Sequence, residues 1–162
     1  MTKRVKRAPM ATVLPKNIRN PRSDVVALVP DDRKLRREFT PGMAADKLII
    51  LFSRVDLDCE WCLTRITAED HRCLLDRIRS IESMTLFQVF SNDGKIGKDY
   101  EIPTLPNARA RRRLEELEYD DRDKISRLQI TGERRLYGFR AGARFYALWW
   151  DPHHRIWPSK KK

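Results

Sequence analysis

Residues 124–158 read KISRLQITGERRLYGFRAGARFYALWWDPHHRIWP, and the fold is decided by how that stretch pairs. It is rich in β-branched and aromatic residues and carries six arginines and two adjacent histidines. Residues 125–130 predict one strand, Gly132 marks a turn, residues 134–140 predict a second strand, and a turn at Ala141 and Gly142 leads into a third over residues 144–150. Asp151-Pro152 breaks that strand, because proline cannot donate to a ladder, and a short last strand is expected near residues 155–157. The expected unit is a four-strand antiparallel meander.

Alternate side chains of a strand point to opposite faces. With a three-residue loop around Gly142, Arg134, Gly138, Arg144, Tyr146 and Trp150 share one face. Tyr137, Phe139, Phe145, Ala147 and Trp149 then form the other, which is the better core. On the first face Gly138 removes a side chain beside two arginines, leaving room for a backbone or a phosphate. A slip of one residue exchanges the faces, which keeps Arg135 as a reserve candidate.

Upstream, residues 47–55, KLIILFSRV, predict a buried strand, and residues 59–66 a second, joined through the acidic turn 56–58 into an opening hairpin. Thr67 predicts a helix N-cap, with Glu69 and Asp70 at the positive end of the dipole and Leu74, Leu75, Ile78 and Ile81 at helical spacing. That helix continues or restarts through residues 84–90. Residues 92–106 contain Gly94, Gly97, Pro103 and Pro106 and read as a long loop. Asn107 caps a second helix over residues 108–119, where arginines and glutamates at spacings of three and four permit internal ion pairs. Arg109 to Arg113 form a basic cluster that is either a solvated face or a surface for nucleic acid or an acidic partner.

The chain has 162 residues and a formal net charge of +11. That length accommodates one domain and tails. Residues 1–45 hold 11 basic and 4 acidic residues, and residues 160–162 add three lysines, so most of the excess lies in the tails. Within the remainder, residues 46–108 are net −3 and residues 109–159 net +4, which places the basic side on the meander. Such a distribution fits phosphate binding, and it equally fits solvated strand edges that discourage aggregation. The Pro-rich basic arm, with a single apolar island at residues 25–29, is expected to be extended or disordered. No 18-residue apolar run and no signal-peptide core follow the basic start, so a soluble cytoplasmic protein with no membrane partner is expected.

Cys59, Cys62, His71 and Cys73 are residue types that bind zinc, but their spacing scatters them over different faces, and no metal site is expected. His153 and His154 follow the strand break, and only one can face a given site. His154, with Arg155 and Trp157 nearby, offers an acid or base, a cation for developing phosphate charge and an aromatic surface. The alternative is a polar cap on the sheet end, held by Asp151. No nucleotide-binding glycine loop, nucleophile elbow or metalloprotease motif occurs, so no cofactor is expected.

Helices followed by a meander, closing with RRLYGFRAGARFYALWWDPHHRIWP, resemble the RelE-like superfamily of bacterial toxins over roughly residues 67–158. The resemblance implies an mRNA endonuclease acting on ribosome-bound message, held in check by a cognate antitoxin protein. Carried over by position, it points to Arg134 or Arg135, Arg144, His154, Arg155 and Trp157. The expected catalytic set is Arg134, Arg144, His154 and Arg155, with Arg135, Arg140, Tyr146, Trp157, Arg111 and Arg112 as expected RNA contacts. Trp157 stands where many members have tyrosine, and an indole cannot transfer a proton as a phenol can.

The expectation is therefore a basic arm (1–45), one α+β domain (46–159) with an antiparallel sheet and helices on one face, and a basic tail (160–162). The leading function is an RNA-cleaving toxin that uses side-chain acid–base chemistry without metal. The rival is a non-catalytic module of phage or mobile-element origin that binds nucleic acid or an acidic protein.

Overall fold

A computed structural model of the chain describes residues 45–90, 95–119 and 121–158. The island at residues 25–29, nearly all of the basic arm and the lysine tail lie outside them. In chain order the elements are β1 (Ile49–Leu51), α1 (Ala68–Glu82), α2 (Leu86–Val89), β2 (Gly97–Glu101), α3 (Ala108–Glu116), β3 (Lys124–Thr131), β4 (Arg134–Ala141) and β5 (Arg144–Asp151). The five strands form one mixed sheet in the order β1-β5-β4-β3-β2. Among the described residues no helix is long and apolar enough to cross a membrane.

Local chemistry sets the helix starts. The Thr67 hydroxyl accepts from the Asp70 amide and opens α1, and the Asn107 side-chain oxygen accepts from the Ala110 amide and opens α3. Each satisfies an amide that has no partner within the helix. Thr85 and Gln88 close a reciprocal capping box that starts α2. Gly132 and Gly142 take φ of +49° and +58° at the first positions of two-residue turns, a conformation that a Cβ disfavours.

Four expectations are corrected. The sheet is not purely antiparallel, since β1 runs parallel to β5 with Ile50 beside Phe145. The opening hairpin does not form: after Leu51 the chain turns across the sheet, and residues 63–65 make a single 3-10 turn. The expected loop at residues 92–106 contains β2, which pairs antiparallel with β3. No strand forms at residues 155–157, so the meander has three strands.

Helices cover both faces, not one. Leu74, Ile78 and Ile81 of α1 bury against Ile50, Leu128, Leu136, Phe145 and Trp150 on the first face. Ala110 and Leu114 of α3 bury against Ile125, Tyr137, Phe139, Leu148 and Trp149 on the second. Each fully buried aliphatic side chain contributes about 1.5–3 kcal/mol.

The faces also differ from those expected, for two physical reasons. The turn after β4 holds two residues, so Ala141 opposes Arg144 and the register moves by one. The ladder then breaks between Tyr137 and Gly138, which oppose Trp149 and Ala147 and leave Leu148 as the extra residue of a bulge. Arg144 and Tyr146 therefore lie on the second face, with Phe139. Gly138, Ala147 and Trp150 lie on the first.

The space at Gly138 is filled by protein, not left for phosphate. A Cβ there would sit 2.1 Å from the Tyr146 carbonyl oxygen. Gly138→Ala is expected to lower stability by about 3 kcal/mol or more, read as a fall in the urea midpoint. An unchanged midpoint would show that the bulge can move aside.

Candidate phosphate-binding site

Register alone gathers a row of cations on the second face near the β3–β4 turn. Lys98 of β2 opposes Arg127 of β3, which opposes Tyr137 of β4. In the next row Gln129 opposes Arg135, which opposes Asp151. Lys98 and Arg127 are thus like charges placed directly across a ladder, an arrangement that repels.

Two of these arginines are buried, Arg127 at 8% and Arg135 at 7% exposure. Arg127 donates through Nε to the Tyr100 hydroxyl at 3.3 Å and through its terminal nitrogen to the Gln129 side-chain oxygen at 3.3 Å. Arg135 donates to the backbone oxygens of Gly132 and Arg134. Its Nε and the Tyr137 hydroxyl are buried without a hydrogen-bond partner. Burial and then Arg127 lower the Arg135 pKa. Tyr137 is pushed up, by burial first and then by Asp151, and its hydroxyl stays protonated at neutral pH.

The turn after β5 brings His154 to this cluster. Asp151, 1% exposed, accepts the amides of His153 and Arg155 on one oxygen and that of Ile156 on the other at 2.8 Å. That wrap leaves His154 at φ +53°, the left-handed region that a residue with a Cβ rarely holds without support. His154 is half-buried, and its pKa is lowered by burial first and then by Arg135, with Arg127 adding to this. Beside the cluster Trp157 stacks on Tyr100, with centroids 4.2 Å apart and planes at 23°. Lys98 Nζ lies 5.4 Å from the centre of the Tyr100 ring.

The other residues named from the sequence lie elsewhere. Arg134 points to the first face and clamps Asp70 and Glu69 at the start of α1. Arg140 pairs with Asp99 at 2.7 Å and lies over Phe90. Arg144 is exposed at the far end of β5, next to Ile49, and Tyr146 is buried opposite Phe139. On α3, Arg111 bonds the Leu105 carbonyl and Arg112 pairs with Glu116. Arg155 is exposed, with its carbonyl accepting from Asn107.

Arg135, His154 and Trp157 are thus brought together, and Arg134, Arg140 and Arg144 are not. Arg127, Tyr100, Tyr137 and Lys98 were not singled out from the sequence. A two-residue turn at Gly132 alone would set Leu128 opposite Tyr137; the irregularity between Gln129 and Thr131 shifts the register by one and sets Arg127 there. Lys98 and Tyr100 sit in a segment whose composition reads as a loop. Among the described residues no group of three or more His, Cys, Asp or Glu side chains is placed to hold a metal ion.

Removing the Asp151 carboxylate strips three backbone amides of their acceptor. Asp151→Ala is expected to cost roughly 3–5 kcal/mol and Asp151→Asn less, in thermal melts. Equal melting temperatures for all three proteins would show that the turn holds itself. Compared with protein-family models, with curated proteins and with solved structures, the chain matches none.

Proposed function

We propose that the protein is a RelE-like RNA endonuclease that holds an RNA phosphate at the Arg127–Arg135–His154 cluster. Cleavage there uses side-chain acid–base chemistry. The observation that carries this reading is the convergence of His154, on left-handed backbone, with two buried guanidinium groups on one sheet face. The mixed sheet with helices and a three-strand carboxy-terminal meander supports it at the level of fold. Ribosome-bound message as substrate and an antitoxin as partner belong to the same proposal.

In that reaction neutral His154 takes the proton of a ribose 2′-hydroxyl as its oxygen attacks phosphorus. The bond to the 5′-oxygen breaks and that oxygen takes a proton from solvent water, leaving a 2′,3′-cyclic phosphate, and the imidazolium returns its proton to solvent. The arginines stabilise charge on the non-bridging oxygens, an effect that is larger in a desolvated site. Trp157 and Tyr100 offer an aromatic surface for an adjacent unpaired base.

The test is incubation of the full chain with total RNA and with translating ribosomes, followed by mapping of new 5′ ends. Arg135→Ala and His154→Ala are each expected to reduce cleavage about 100-fold or more. Absence of cleavage in both settings, or variants as active as wild type, would sink the reading. RNA binding that weakens steeply with salt and gives no turnover would replace it with the non-catalytic module.

The electrostatics also fix a pH dependence. Burial, Arg135 and Arg127 disfavour imidazolium at position 154, against the opposing pull of Asp151 and Glu133. The base form therefore persists below the ordinary histidine pKa of about 6.5, and the acid limb of the rate profile is expected below that value. In stability terms, the contribution of neutral His154 is present above the unfolded-state value and is lost as pH falls toward the folded one. Arg135→Gln should move the acid limb upward. A His154 titration by NMR at or above 6.5 in the wild-type protein would contradict this.

A further inference from the structure

Two of the buried side-chain atoms without a hydrogen-bond partner belong to neighbouring same-face positions of β4. Arg135 Nε and the Tyr137 hydroxyl belong to residues two apart on β4, on the same face, and both atoms are buried with no hydrogen-bond partner. Arg135 is 7% exposed and Tyr137 0%. An unmet buried donor is unfavourable, and an arriving acceptor would relieve it.

The neighbouring groups do not supply an acceptor. Asp151 lies across the ladder from Arg135, but its two oxygens already accept three backbone amides. The Gln129 side-chain oxygen accepts from Arg127. The Tyr100 hydroxyl accepts from Arg127 Nε. What would satisfy both donors is an oxygen-rich anion, and the adjacent Arg127 and Lys98 favour one with high charge.

We propose that Arg135 Nε and the Tyr137 hydroxyl form an oxyanion hole for a tetrahedral phosphate group, reached from the His154 side. This rests on the reading of the face as a phosphate site and names Tyr137 as a binding residue. His154, the more exposed member of the cluster, is the solvent-side wall of the hole. Both donors aim at one ligand, so removing the hydroxyl alone weakens capture. Tyr137→Phe also deletes an unsatisfied polar atom from the core, so the ligand-free variant should be no less stable than wild type.

The probe is inorganic phosphate, compared with chloride at matched ionic strength, in thermal melts of the full chain. Saturating phosphate is expected to raise the wild-type melting temperature by about 5 °C, and Tyr137→Phe should lose most of that rise. No phosphate-specific rise in wild type overturns the proposal, as does a rise of equal size in Tyr137→Phe. RNA cleavage is measured on the same proteins and separates the two claims. Cleaving wild type whose phosphate response ignores Tyr137→Phe would remove the hole and leave the endonuclease standing. A Tyr137-dependent phosphate rise without cleavage would remove the endonuclease and keep the hole.

Discussion

Strand β5 has water on neither side, and that constraint organises the molecule. It lies between β1 and β4 in the sheet, and every residue from Phe145 to Asp151 is buried. A regular strand would send Leu148 and Trp150 to one face and Trp149 to the other. The bulge instead turns Leu148 and Trp149 together toward α3 and returns Trp150 to the α1 side. Its backbone groups need partners beyond the short β1, and the irregular segment after Leu51 provides them. The Leu148 carbonyl accepts the Asp56 amide at 3.1 Å, and the Trp150 amide donates to the Trp61 carbonyl at 2.8 Å.

The same segment delivers the carboxylate that locks the second face. Burial alone would raise the Asp56 pKa, but paired bonds from Arg113, the Trp149 indole and the Asp58 amide outweigh it and hold the carboxyl well below the usual range. Its influence extends to Cys59, whose thiol burial and the Asp56 carboxylate push up to about 12, leaving it protonated and unreactive. One side chain thus ties the crossing loop, α3 and β5 together, while the opposite end of the face is free to hold charge. Breaking such a buried pair from one side would leave a stranded ion, at a cost of about 3–5 kcal/mol.

Local features of this fold were legible in the sequence and long-range ones were not. Thr67 and Asn107 cap helices by contacts three residues away, and glycines 132 and 142 make turns within their own hairpins, so each signal is complete in its neighbourhood. By contrast β2, GKDYE, has a poor strand composition and forms because β3 presents an open ladder to it. The parallel docking of β1 joins residues nearly a hundred apart, and the bulge, though inside a hairpin, has no turn residue to announce it. The site followed the same division. His154 and Arg135 could be named from their own surroundings, but which of Arg134 and Arg135 faces the site was a matter of register. That Asp70 and Asp99 occupy Arg134 and Arg140 could not be read from a strand sequence alone.

The adjacent arginines at the start of β4 make the functional argument by contrast. They share a side chain and a strand and differ only in face. Arg134 meets two carboxylates, and its pKa is raised by the Asp70 bond first. Arg135 meets backbone carbonyls and another arginine, and its charge is disfavoured. A well-packed apolar residue often serves a buried position as well as or better than an ion, so the bonds to the Gly132 and Arg134 carbonyls are what Arg135 contributes to the turn in return for its burial. Its placement between Tyr137, Arg127 and a histidine on left-handed backbone is what a site for an anion requires. Under the proposed function, an arriving phosphate would offset the unfavourable charge that burial and Arg127 impose on Arg135.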